Sequence, residues 1–189
     1  MQSTTDIVVS AKSDKTDRRF LWSAMAIVVI LLLVGIFRHE MWRDELQAWC
    51  LARDSANLLE VHQHLLYEGH PISWYLPLFL FTRFTHDPLL MQLLNVTFAS
   101  AACYLVLAHA PFSKLQKSFF CLGYFPLFEY GIISRSYSLE LLVLLAFCCL
   151  FQFRNKHPWW LFSTLILFVC VNAYGLMIAF AFTATLLLE

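Results

Sequence analysis

Apolar and polar positions fall in long blocks along this chain, without the short-range alternation of a water-soluble fold. Residues 1–17 are polar, Arg18-Arg19 follow, and residues 20–37 form an apolar run. The polar stretch has little to bury, so residues 1–19 are expected to be a disordered cytoplasmic tail. The run measures roughly 27 Å as a helix, just enough to cross a bilayer. It ends in Phe37-Arg38-His39-Glu40. A signal peptide would have a shorter core and a small-residue cleavage site, so an uncleaved first span is expected.

Residues 38–71 are the longest hydrophilic stretch and contain two one-sided helical patterns. Trp42, Leu46, Trp49 and Cys50 mark the first, over residues 41–53. Leu58, Leu59, His62, Leu65 and Leu66 mark the second, with Asp54 or Ser55 as its cap and Gly69 as its stop. Two such amphipathic helices after a span are expected to lie flat at the interface. Residues 71–84 are apolar but short, with Pro77 in the middle, which favours a re-entrant segment over a full crossing. Spans are expected at 89–112 and 119–133. Ser134-Arg135-Ser136 then breaks the hydrophobicity, which resumes over 137–153 and is broken again by Arg154-Asn155-Lys156-His157. Residues 159–188 are too long for one upright helix, and Asn172-Ala173-Tyr174-Gly175 predicts a bend or tight turn within them.

Composition agrees with the blocks. The chain is 60% hydrophobic and 14% charged over 189 residues, against about 45–50% and 25% in soluble domains. One core of this size cannot hide so much apolar surface, so lipid must cover the rest. The expected fold class is all-α, a polytopic membrane helix bundle over residues 20–189. Thirteen basic and thirteen acidic residues cancel, and no basic field points to nucleic acid. The six cysteines form no C-x-x-C pair or ligand cluster, and five sit in apolar runs as small hydrophobes. Lys12, Lys15, Arg18 and Arg19 put the N-terminus on the cytoplasmic side. If residues 71–84 re-enter, Lys114, Lys117, Arg154 and Lys156 fall on that side too, and the acidic loop shares the outer face with the 129–135 break.

The outer loop carries the candidate chemistry. Asp44 and Glu45 lie among Trp42, Trp49 and other apolar residues. A carboxylate at a membrane surface can act as general base toward a hydroxyl or amine acceptor. It can equally well solvate the first turn of an interfacial helix. Glu68-Gly69-His70-Pro71 either helps form a phosphate or sugar pocket through His70 or is a turn between helices. Arg135, between apolar segments on the same face, suits an anion such as a lipid phosphate; the alternative is a snorkelling anchor. Glu140 is an intramembrane carboxylate, functional or ion-paired with Arg135. Asn95-Val96-Thr97 matches a glycosylation sequon inside an expected span, where no transferase reaches it.

Taken together, these residues resemble the N-terminal part of the GT-C glycosyltransferases, the superfamily of protein O-mannosyltransferases and lipid A aminoarabinose transferases. The resemblance rests on Asp44-Glu45 after a first span and on Glu68-Gly69-His70-Pro71 followed by Ser73-Trp74-Tyr75-Leu76-Pro77-Leu78. Phe125-Pro126-Leu127 through Ser134-Arg135-Ser136-Tyr137 and Asn172-Ala173-Tyr174-Gly175-Leu176 support it. Where many members have tyrosine four residues after the Asp, this chain has Ala48, and its nearest acidic residue after the Arg-Tyr break is Glu140. The resemblance implies transfer of a sugar from a polyprenyl-phosphate donor to an acceptor on the outer face of a bacterial cytoplasmic membrane. It implies Asp44 as catalytic base with Glu45 beside it, Glu68 and His70 shaping a substrate pocket, and Arg135 with Tyr137 at the lipid phosphate; metal dependence stays open. The chain stops at Leu188-Glu189 within an apolar run, so a truncated gene product is expected. The competing expectations are an inactive fragment or accessory subunit, which would need a partner subunit, and a transporter-like bundle.

Overall fold

Nothing between Thr4 and Val34 interrupts a helix: the stretch has neither glycine nor proline. In the computed structural model, which describes residues 4–66 and 71–188 with side chains from Asp17 onward, α1 accordingly runs unbroken over Thr4–Arg38. The stretch expected to be a disordered tail is thus helical from Thr4, as a continuation of the apolar helix. Among the described side chains of α1 one stripe is buried, Val28, Leu32 and Ile36 at i, i+4 and i+8. Trp22, Ile27, Ile30, Val34 and Phe37 stay exposed around it. The Asp17–Arg38 portion is long and apolar enough to cross a membrane.

All regular structure among the described residues is helical. The buried stripe of α1 meets α5, Leu89–His109, the second helix of spanning length and hydropathy. Ala99 and Cys103 on α5 are small, which lets the two backbones approach while Val96, Val106 and Leu107 fill the seam. On its other side α5 packs against α7, Tyr137–Leu150.

The loop between α1 and α5 holds three short helices: α2 (Arg43–Asp54), α3 (Leu58–Leu65) and α4 (Tyr75–Thr82). The cap of α3 is neither Asp54 nor Ser55 but Asn57, whose Oδ1 accepts from the Glu60 amide at 3.0 Å. Glu60 returns the bond by accepting from the Ala56 amide at 2.6 Å. Arg83 closes the other end of α2, donating to the carbonyls of Ala52 (3.1 Å) and Arg53 (2.8 Å). Trp49, Ala52, Val61, Leu65, Trp74, Leu78 and Met91 form a second core beneath these helices. With eight residues α4 reaches only about 12 Å, short of a crossing.

Residues 119–133 depart from the expected span. Here α6, Lys114–Cys121, starts from a Ser113–Gln116 capping box and stops early. A π-helical turn follows at Phe125–Glu129, then non-helical backbone to Ser136. Pro126 removes a donor at the start of that turn. Gly131 passes so close to α1 that an added Cβ would strike the Leu32 side chain and the carbonyl oxygens of Pro126 and Leu127. Hydropathy does not register such a bend.

The last third is an apolar three-helix cluster. After α7 and a 3-10 turn at Phe151–Phe153 come α8 (Pro158–Val171) and α9 (Ala173–Leu188), divided at Asn172 where the bend was expected. Phe147 and Phe182 stack at 4.3 Å between ring centres, and Val143, Leu161, Leu165 and Phe168 complete this core.

Candidate functional site at the end of the first loop

A backbone that leaves its helix inside an apolar bundle exposes amides and carbonyls that must find partners. The break before α7 finds them in two side chains from elsewhere in the chain. Asn95, fully buried on α5, donates through Nδ2 toward the carbonyls of Tyr130 (3.0 Å), Gly131 (3.0 Å) and Ile133 (3.2 Å). Its Oδ1 accepts from the Ser138 hydroxyl at 2.6 Å. The sequon asparagine set aside in the sequence is therefore the internal anchor of the break.

Glu45 is the second partner. It is buried, with 0% of its surface exposed. Oε1 accepts from the Ser134 amide at 2.6 Å. Oε2 accepts from the Trp42 amide at 2.8 Å, the reciprocal half of an N-terminal cap on α2. His39 Nε2 lies 2.8 Å from the same oxygen. One carboxylate thus ties the end of α1, the start of α2 and the break before α7. The i, i+3 relation of Trp42 to Glu45 was visible in the sequence; its long-range half was not.

Asp44, the neighbouring residue, points the other way. Its side chain is 58% exposed and its Oδ2 lies 3.4 Å from Arg135 Nη1, while Arg135 is 28% exposed. The two are ion-paired at the edge of a cleft of about 160 Å³ whose walls also include Gln47, Trp74, Tyr75 and Ser134. The Ser134 hydroxyl has no hydrogen-bond partner although the residue is fully buried. The guanidinium also stacks 5.0 Å over the Tyr137 ring. The structure therefore brings Asp44, Arg135 and Tyr137 together and turns Glu45 into the wall behind them. Glu68 and His70 lie outside the described residues, though Pro71, next in sequence, lines the cleft.

Tyr137 also lines a larger groove, about 440 Å³, on the far side of the same turn. Tyr130, Tyr174, Leu141, Leu144 and Ile178 form most of its walls, and Tyr130 and Tyr137 are 5.7 Å apart between ring centres. Glu140 borders this groove, but its partner is not Arg135. It accepts from Asn172 Nδ2, and Asn172 Oδ1 accepts from the Gly175 amide at 2.8 Å, so Glu140 pins the α8–α9 bend to α7. Among the described residues no group of three His, Cys, Asp or Glu side chains converges in metal-binding geometry.

The sequence assigned no role to His39, Gln47 or Asn95, and Trp74 and Tyr75 entered only through the resemblance. A polar residue within an apolar helix, as Asn95 is, was the one signal that could have been read. Compared with known protein families, curated proteins and solved structures, the chain matches none.

Proposed function

We propose that this chain is the membrane-embedded part of a glycosyltransferase that moves a sugar from a polyprenyl-phosphate donor to an acceptor at the outer face. The observation that carries the proposal is the Asp44–Arg135 ion pair on the wall of one cleft, a carboxylate and an anion-binding cation side by side where one small substrate can reach both. In the reaction the acceptor hydroxyl or amine attacks the anomeric carbon, forming the new bond from that carbon to the acceptor. The carbon–oxygen bond to phosphate breaks, and the polyprenyl phosphate leaves with the electron pair. Asp44 takes the acceptor's proton. Arg135 stabilises the charge gathering on the phosphate, where a pre-placed guanidinium is worth most.

The surroundings suit that division of labour. Trp74 and Tyr75, nearly buried, form an apolar wall of the cleft, and the buried Ser134 hydroxyl beside it has no hydrogen-bond partner. The aromatic groove begins at Tyr137, directly under the Arg135 guanidinium, so a phosphate held by Arg135 can lead its lipid tail into it. Glu45 acts as a positioning residue: it fixes the Ser134 amide and the first turn of α2, and with them the separation of Asp44 from Arg135.

The membrane setting is part of the proposal. Two helices have the length and hydropathy to cross, and α8 and α9 expose Trp159, Phe162, Ile166, Leu176 and Phe180, which suits lipid contact in a multi-pass arrangement. The N-terminus and the basic groups of α6 and of 154–156 then lie on the cytoplasmic side and the cleft on the other, consistent with the short reach of α4.

Binding of labelled polyprenyl phosphate tests the assignment. Arg135→Gln should weaken it at least tenfold, consistent with a charge-assisted contact of about 1.5–3 kcal/mol. Unchanged affinity in a folded Arg135→Gln protein would remove Arg135 from the site.

A further inference from the structure

At the other end of the α1–α5 pair lies a second cavity, about 320 Å³, bordered by Asp17, Arg18, Phe20, Phe112, Lys114 and Lys117. Its volume equals that of about ten water molecules, room for a phosphate and a small headgroup. Among the described residues, three cations and one carboxylate border it, an excess of two positive charges. Lys114 pairs with Asp17 at 2.7 Å and lies 5.7 Å over the Phe20 ring. Lys117 donates to the Leu107 carbonyl at 2.8 Å, in the last turn of α5. Arg18 is exposed and has no ion-pair partner among the described residues.

The helix beside the cavity has a second feature pointing to lipid. On α6 and just beyond it, Leu115, Phe119 and Leu122 share one face at i, i+4 and i+7, and all three are exposed. Lys114, Lys117 and Cys121, at i, i+3 and i+7, share the adjoining face; Cys121 is buried against α5 and the lysines border the cavity. Phe112, just before the helix, is exposed as well. A short helix with an exposed apolar edge beside a row of ammonium groups is built to lie in an interface, its apolar side among acyl chains and its lysines at phosphate level. Both features converge on one ligand chemistry.

We infer that the Arg18–Lys114–Lys117 cavity binds the phosphate headgroup of an anionic phospholipid of the cytoplasmic leaflet, whose chains lie along the exposed face of α6. The inference rests on the membrane reading above but not on the transferase one. The bound phosphate replaces Asp17 as the partner of Lys114 and gains Arg18, while Lys117 keeps its hold on α5. The site therefore fastens α1 to the α5–α6 corner at the end opposite the cleft.

The test titrates the full chain, in a mild zwitterionic detergent, with phosphatidylglycerol and separately with phosphatidylcholine, reading retained lipid by native mass spectrometry. Saturable phosphatidylglycerol binding with little phosphatidylcholine retained is expected. Arg18→Gln should weaken it about fivefold, and Arg18→Gln with Lys114→Gln and Lys117→Gln on the order of a hundredfold. Should the triple variant not fold, Arg18→Gln alone decides, since Arg18 has no partner to lose within the described protein. Equal retention of both lipids, or unchanged binding in a folded variant, would overturn the inference. Displacement by millimolar glycerol phosphate as strong as by lipid would replace it with a soluble phosphate site. Loss of binding in Arg135→Gln but not in Arg18→Gln would move the lipid to the outer cleft and overturn it too. Release of the chain from membranes by alkaline carbonate would instead refute the membrane reading itself.

Discussion

The two ends of the α1–α5 pair solve opposite problems with polar side chains. At the loop end, Asn95 and Glu45 are buried and paired: Asn95 makes four hydrogen bonds, and Glu45 engages three separate segments. At the α6 end, charges are exposed and held loosely, as Lys114–Asp17 is between side chains 49% and 62% exposed. Buried polar groups are costly unless fully paired, and once paired they fix one geometry. Exposed ones contribute little to the fold and stay available to a ligand. The difference separates the clamps that shape the cleft from side chains left available to a ligand. Asp44 and Glu45 show it within a single dipeptide.

The sharpest way to break the comparison is at the clamp. Asn95→Leu keeps approximate volume but strands the carbonyls of Tyr130 and Gly131 and leaves the Ser138 hydroxyl only a 3.4 Å contact with the Arg135 carbonyl. At about 1–3 kcal/mol for each group left buried and unpaired, with some relaxation, a loss of about 4 kcal/mol is expected. Thermal unfolding of the purified chain in detergent checks it; a change below about 1 kcal/mol would mean the break is held by other contacts. Next in size is Glu45→Leu, which strands the Ser134 and Trp42 amides, for an expected loss of about 3 kcal/mol by the same measurement. Glu45→Gln keeps an acceptor for one of them and should lose about half as much. The smallest effect belongs to Lys114→Gln, which removes an exposed ion pair and should cost at most about 0.5–1 kcal/mol. A Lys114 loss as large as that of Glu45 would erase the distinction between the two ends.

Much of this was legible in the block pattern. The Phe20-to-Phe37 run anticipated the apolar part of α1, the Trp42–Leu46–Trp49 stripe anticipated α2, and the Asn172 bend divides α8 from α9 as expected. The short reach of residues 71–84 agrees with the eight-residue α4. What hydropathy could not convey was direction. Residues 119–133 are apolar enough for a helix, yet Pro126 and the close approach of Gly131 to α1 make them a bent connection. Nor could local spacing tell Asp44 from Glu45, because the residue that claims Glu45 is Ser134, on the far side of α5 in sequence. Asn95 carried the same difficulty: a polar residue in an apolar helix announces a partner without naming it. Glu140 was weighed against Arg135, its neighbour one turn away, whereas its partner is Asn172 on the next bend.

The measurement that bears most directly on the account is transfer of labelled sugar from polyprenyl-phosphate donors in membranes holding the wild-type chain or Asp44→Asn. Asp44 is more than half exposed, so the substitution should shift stability by less than about 0.5 kcal/mol. The account predicts transfer by the wild-type chain and its loss, by a factor of at least 10²–10⁴ as for removal of a general base, in an Asp44→Asn protein that inserts and unfolds like the wild type. Transfer that survives the substitution undiminished would contradict the assignment of Asp44, and absence of transfer from any such donor by a folded wild-type chain would contradict the transferase reading.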